Sequence, residues 1–242
     1  MLSPRPSAQA DETAAPGRVI ALGWPCPLPL GGVTQEYALA FDRARERRLL
    51  IVPALFDEGN KLRRFTVEVM RLLDGMGIDS LLPDLPGCNE SVQPLAQQSV
   101  ATWHEAMHAA AQHFGATHVL GIRGGCLFTP NSLPTWHYAP VKAAAILRQM
   151  LRARTLASRE AGREESRETL EEAARKDGIE LIGYPLAAQF YRAFETTVPA
   201  PDAHPIAQDD VGGPGLWLRA EPDENAKQAE ALATLIAAKA LA

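Results

Sequence analysis

Cysteine is scarce. Cys26, Cys88 and Cys126 are the three in 242 residues, odd in number, far apart and without a C-x-x-C pair. This excludes a disulfide framework and a cysteine zinc site, and a reducing cytoplasm fits best. Basic residues are not in excess: 24 Lys and Arg stand against 29 Asp and Glu, a formal net charge of -5, so the electrostatic footprint of a nucleic-acid partner is missing. No apolar run approaches the length of a membrane span. Residues 1–17, MLSPRPSAQADETAAPG, carry Pro, Ser, Ala and acidic residues where a signal peptide needs an apolar stretch, and they read as a disordered tail. What remains, 46% hydrophobic and 22% charged, has the proportions of a soluble globular protein with a sizeable core.

Short apolar runs alternate with longer helical patterns, the signature of a mostly parallel sheet with helices on both faces. Seven strands are expected: Arg18 to Leu22, Glu36 to Phe41, Leu49 to Ala54, Ile78 to Pro83, His118 to Ile122, Trp136 to Val141 and Leu216 to Ala220. Between the third and fourth, Leu62, Phe65, Val69, Leu72 and Met76 recur at helical steps, with Asn60 as the expected N-cap and glycines at 75 and 77 as the stop. Val100, Trp103, Met107, Ala110 and Phe114 repeat the pattern before Gly115. Such a β-α-β-α-β run is right-handed, with its functional edge at the carboxyl ends of the strands.

Residues 18–141 are thus read as the first part of the core, 142–196 as an inserted, charge-dense helical cap without strands, and 197–242 as the closing part of the core. That last part starts with a Pro- and Gly-rich loop over 197–215.

Three constellations carry candidate chemistry. HEAMH, residues 104–108, has the H-E-x-x-H form of a zinc hydrolase. On its helix, however, the apolar stripe centres roughly 90° from His104 and 130° from His108, which turns both histidines to the flank or outer surface. The expected reading is a solvated face; zinc held by His104 and His108 is the alternative.

The second constellation combines DLPGCNES, residues 84–91, with THVLGIRGG, which ends a strand in a tight glycine turn. The first resembles the turn after the fourth strand of α/β-hydrolases. The second falls where that fold carries its G-x-S-x-G nucleophile elbow. Here the central residue is Arg123, permanently protonated and donor-only, which cannot accept an acyl group. No histidine follows Leu216 to act as base, and His204 lies before it in the Pro-rich loop. If catalysis persists, it needs Cys88 or Cys126 as nucleophile, or a water held by Glu58 and Asp84, in an ester or thioester hydrolase.

The third is PALFDEGNKLRRF, residues 53–65. In the hydrolase layout this loop lends a backbone N–H to the oxyanion hole, and the following helix start attracts anions. Leu55, Phe56, Asn60, Lys61, Arg123 and Gly124 are the expected ligand-binding residues, for a small anionic group such as a carboxylate or phosphate. Asp84 is expected to brace Arg123.

Taken together, EGNKLRRF, LLPDLPGCNES, the G-I-R-G-G elbow, YAPVKAAAILRQMLRAR and LIGYPLAAQF resemble the exosortase A system-associated hydrolase 2 family of the α/β-hydrolase superfamily, over roughly residues 49–220. The resemblance implies an α/β-hydrolase-like fold and a locus serving protein sorting by the exosortase and PEP-CTERM system and exopolysaccharide. It implies a partner from that machinery, met through the small-ligand edge or the charged cap. No cofactor is expected. Only residues 126–135 separate the elbow from the next strand, short for a full crossover helix. A fold that has lost its serine-hydrolase chemistry is the leading expectation.

Overall fold

The computed structural model describes residues 17–240, so the tail expected over 1–17 lies outside the described residues except for Gly17, whose N–H donates to Asp74 Oδ2 at 2.8 Å. Strands β1 (Ile20–Pro27) and β2 (Val33–Phe41) pair antiparallel, and β2 continues antiparallel onto β4 (Asp79–Pro83). The remaining neighbours run parallel: β4 with β3 (Arg48–Val52), β3 with β5 (His118–Ile122), and β5 with β6 (Thr135–Tyr138). β3, β4 and β5 consist almost wholly of buried residues, as strands covered on both faces must.

Helix α1 (Phe56–Gly75) buries Leu62, Phe65, Val69 and Leu73 on one face of the sheet. It starts four residues before the expected Asn60 cap: Leu55 is the N-cap without a side-chain bond, and Asp57 and Glu58 meet the dipole in the first turn. Asn60 is exposed on the second turn. Helix α2 (Val100–His113) buries Trp103, Ala106, Met107 and Ala110 on the other face and opens with a capping box in which Ser99 Oγ accepts from Thr102 N and Thr102 Oγ1 from Ser99 N.

The seventh strand is not where the sequence pattern puts it. Leu216–Leu218 is one turn of 3-10 helix that sends its residues three ways: Leu216 into the core, Trp217 toward Arg123 and Leu218 into solvent. The edge strand is β9 (His204–Ile206), inside the stretch expected as loop and parallel to β6, so the strand order is β1-β2-β4-β3-β5-β6-β9. Three residues including a proline give no alternating pattern, so the edge is invisible until its partner is known.

Between β6 and β9 come α3 (Ala143–Glu160), α4 (Arg167–Asp177), a hairpin of β7 (Ile179–Leu181) and β8 (Tyr184–Leu186), and α5 (Ala188–Phe194). The hairpin corrects the strand-free expectation for this insertion. Phe190 and Phe194 of α5 pack with Phe56, Trp103 and Phe128 of the core, at ring separations of 5.0 to 6.3 Å. Short α6 (Gln208–Val211) and terminal α7 (Ala226–Ala240) close the α1 side.

Candidate functional site at the carboxyl edge of the sheet

Four loops leave the carboxyl ends of the central strands, and each contains a non-glycine residue in the left-handed region: Phe56 after β3 (φ 54), Asn89 after β4 (φ 50), Arg123 after β5 (φ 53) and Ala139 after β6 (φ 45). Each such residue costs roughly 1–2 kcal/mol, and strain of this kind collects at functional sites. The elbow glycines are sterically required. A Cβ on Gly121 would come within 2.8 Å of Cys126 Cα, and one on Gly125 within 2.3 Å of the Val52 carbonyl oxygen.

On this elbow Arg123 is tied down. Its Nε and Nη2 donate to the two Glu58 carboxylate oxygens at 3.0 and 2.9 Å, Nη1 donates to the Ala139 carbonyl at 3.0 Å, and the guanidinium lies 4.0 Å from the Trp217 ring centroid. Both partners are largely buried, with side chains 13% and 10% exposed. The bidentate, ring-stacked geometry is what a planar guanidinium offers and an ammonium does not. The brace on Arg123 is therefore Glu58 and not Asp84. Asp84, fully buried, is paired with Arg63 and accepts from Asn89 Nδ2 at 3.0 Å.

The expected binding residues divide. Leu55 lies so close to Gly124 that a Cβ there would meet Leu55 Cγ at 2.7 Å, and Phe56 joins an aromatic cluster with Trp103, Tyr184 and Phe194. The space left beside Pro53 to Phe56 is a void of about 10 Å³, no larger than one water needs. Lys61 pairs with Asp57 at 2.7 Å. Asn60 instead opens on a groove of about 600 Å³ lined by Tyr37, Arg63, Asn89, Glu90 and Tyr184.

The thiols are sheltered. Cys88 and Cys126 are 8% and 1% exposed; burial, helped by the Asp84 charge, pushes the Cys88 thiol up to about 12, and burial pushes Cys126 up as well. A thiol held protonated is a poor nucleophile. The histidines lie elsewhere. His137 is buried in β6 against Thr129 Oγ1 at 2.9 Å, and burial lowers it to about 4, while His204 is exposed on β9.

The H-E-x-x-H pair sits on the outer side of α2. His104 packs 5.0 Å from the Phe128 ring, and His108 Nε2 contacts Gln112 Nε2 at 3.0 Å. Both line a groove of about 560 Å³ that also touches Thr129, Asn131 and Thr197. The elbow is followed only by the 3-10 turn Arg123–Leu127, with no crossover helix before β6, and this groove lies beside that shortened connection. Among the described residues no group of three metal-capable side chains converges.

Sequence reasoning did not find Trp217, Asn89 and Tyr184. A run such as LWLRA reads as a strand, and only the fold turns its tryptophan onto the elbow.

No protein-family model matches the chain, and no curated protein sequence does. Solved structures do. The crystal structure of Est1E from Butyrivibrio proteoclasticus with ferulic acid bound matches at a TM-score of 0.50 with 12% identity, over 85% of this chain and 95% of that one. The chain has the α/β-hydrolase fold. The α/β hydrolase GrgF from Penicillium sp. sh18 matches at 0.48 with 15% identity, over 75% and 74% of the two chains. A protein from Agrobacterium vitis S4 matches at 0.43 with 16% identity over 58% of this chain, and the chain spans 60% of that protein's length. No helix among the described residues is long and apolar enough to cross a membrane.

Proposed function

We propose that this chain is a non-hydrolytic α/β-hydrolase-fold protein whose carboxyl edge binds rather than cleaves. The observation that carries the reading is the elbow: its central residue is an arginine locked by two hydrogen bonds to Glu58 and stacked on Trp217. The alternatives lack activated groups. Cys88 and Cys126 are buried and held protonated, while Glu58 and Asp84, the carboxylates that would hold a water, are engaged by Arg123 and Arg63. An activated nucleophile needs a neighbouring base or a lowered pKa, and burial shifts both thiols the opposite way. The binding edge offers the groove at Asn60 and Arg63. Of the expected anion holders, Lys61 and Arg123 already have carboxylate partners.

The resemblance to exosortase A system-associated hydrolase 2 proteins extends the proposal to a cytoplasmic role in a protein-sorting or exopolysaccharide locus, with a small ligand or a protein of that machinery as partner. The test is a fluorophosphonate probe together with p-nitrophenyl ester turnover. The proposal predicts neither labelling nor turnover above buffer. Stoichiometric labelling, or ester turnover above buffer whether or not Arg123→Ala changes it, would overturn it.

A further inference from the structure

The groove beside the elbow has a lining that selects a ligand class. It is formed by Tyr37 and Leu39 from β2, Asn60 and Arg63 from α1, Asn89 and Glu90 from the loop after β4, and Tyr184 from the cap hairpin. At about 600 Å³ it is within the range of small-molecule sites.

Charge comes first. One guanidinium, Arg63, faces two carboxylates. Asp84 is buried directly beneath it, and Glu90 stands exposed at the rim, with its backbone N–H turned to Asp84. The lining is therefore slightly negative, and a phosphate or carboxylate entering it meets an arginine that is already neutralised and a glutamate that repels it.

Hydrogen-bonding capacity comes second. Arg63 spends two of its five donors on Asp84, leaving three without an acceptor among the described residues. Asn89 gives one N–H to Asp84 and keeps its carbonyl and its second N–H. Asn60 on α1 and Tyr184 on the cap hairpin line the groove together. Planar forks of donor and acceptor beside the Tyr184 ring match a saturated ring that presents C–H on its faces and hydroxyls on its rim.

We infer that this groove binds a neutral saccharide ring, recognised by Arg63, Asn60, Asn89 and Glu90 at its hydroxyls and by Tyr184 at its face, with Arg63 held over the Tyr37 ring at 6.0 Å. The inference rests on reading the edge as a binding site. It replaces the anionic ligand expected from the sequence with a neutral one.

Saturation-transfer NMR on the full chain tests it. The probes are methyl β-glucoside, methyl β-galactoside and methyl α-mannoside, with methyl β-glucuronide as the charged counterpart of the first. At least one neutral glycoside is expected to show transfer. If that is the glucoside, the glucuronide binds roughly fivefold or more weakly at neutral pH, and Glu90→Gln narrows the difference. Tyr184→Ala is expected to abolish transfer. Because that change also touches the cap, Asn89→Ala provides a second variant, expected to weaken binding. No transfer to any neutral glycoside overturns the inference, as does a glucuronide that binds as well as the glucoside or transfer indifferent to both Tyr184→Ala and Asn89→Ala. Ester turnover would instead overturn the non-hydrolytic reading, so the two failures are separable.

Discussion

At the amino-terminal ends of β3 and β4, Asp74 and Asp79 are buried beneath Arg43, Arg45 and Arg48; at the carboxyl-terminal ends, Glu58 and Asp84 are buried beneath Arg123 and Arg63. The first cluster is a shared network. Asp79 accepts from the backbone N–H groups of Arg43 and Arg45 and from two guanidinium groups, and Arg48 also reaches Asp42. The second cluster is two separate pairs, one guanidinium to each carboxylate, set among four left-handed loop residues. The same chemistry clamps the chain together at one end and pins separate loops at the other. A carboxylate with four donors is a staple, whereas an arginine with spare donors over a groove remains available to a ligand.

The largest effect that would break this comparison is at the clamp. Asp79→Ala is expected to lower unfolding free energy by about 3–5 kcal/mol, since it leaves buried donors without their shared acceptor, as measured by urea denaturation. At the elbow, Arg123→Met strands Glu58 and is expected to cost about 2–4 kcal/mol, with much of that regained in the double change Arg123→Met and Glu58→Met. A double-mutant cycle showing no coupling would remove the pair as an organising element. Arg123→Ser is expected to gain no ester turnover, because none of the hydrogen bonds of the described histidines reaches the elbow.

Acid should separate two steps. His137 is ordinarily half-protonated at 6.5 but is lowered to about 4 by burial. The unfolded chain binds the extra proton first, so stability is full above pH 6.5 and falls by on the order of 2 kcal/mol as pH drops toward 4. His137→Gln should flatten that window. Asp42 and Asp74 are both held below their ordinary 3.8, Asp42 first by the Arg48 hydrogen bonds and Asp74 by those from Arg43, the Gly17 N–H and Arg45, against the opposing effect of burial. Their stabilisation is present above pH 3.8 and lost as pH falls below it, a step that the elbow variants should retain and clamp variants should lose. The smallest effect is expected at Arg64 and Glu224, paired at 2.8 Å with both side chains more than half exposed: Arg64→Ala should change stability by no more than about 0.5 kcal/mol.

Much of this architecture was legible beforehand, for reasons that differ by element. β5 begins and ends where its apolar run does, and the buried faces of α1 and α2 follow their helical stripes, because burial on one side imposes period on sequence. The edge strand was misplaced because LWLRA has strand composition but follows Pro214 and Gly215 into a turn, while the three-residue β9 carries a proline and pairs on one side. The cap hairpin was missed because two strands of three residues lack the length to show alternation.

The sequence by itself determined that an arginine stands at the elbow, that glycines flank it, and that residues 217–242 contain no histidine; these are matters of residue identity, and no fold can alter them. Only the tertiary structure decided what the arginine does. Glu58 lies 65 positions before Arg123, Trp217 lies in a different segment, and Asp84 is claimed by Arg63 instead. A charge chooses among carboxylates by distance and burial in three dimensions, and neither quantity is written along the chain.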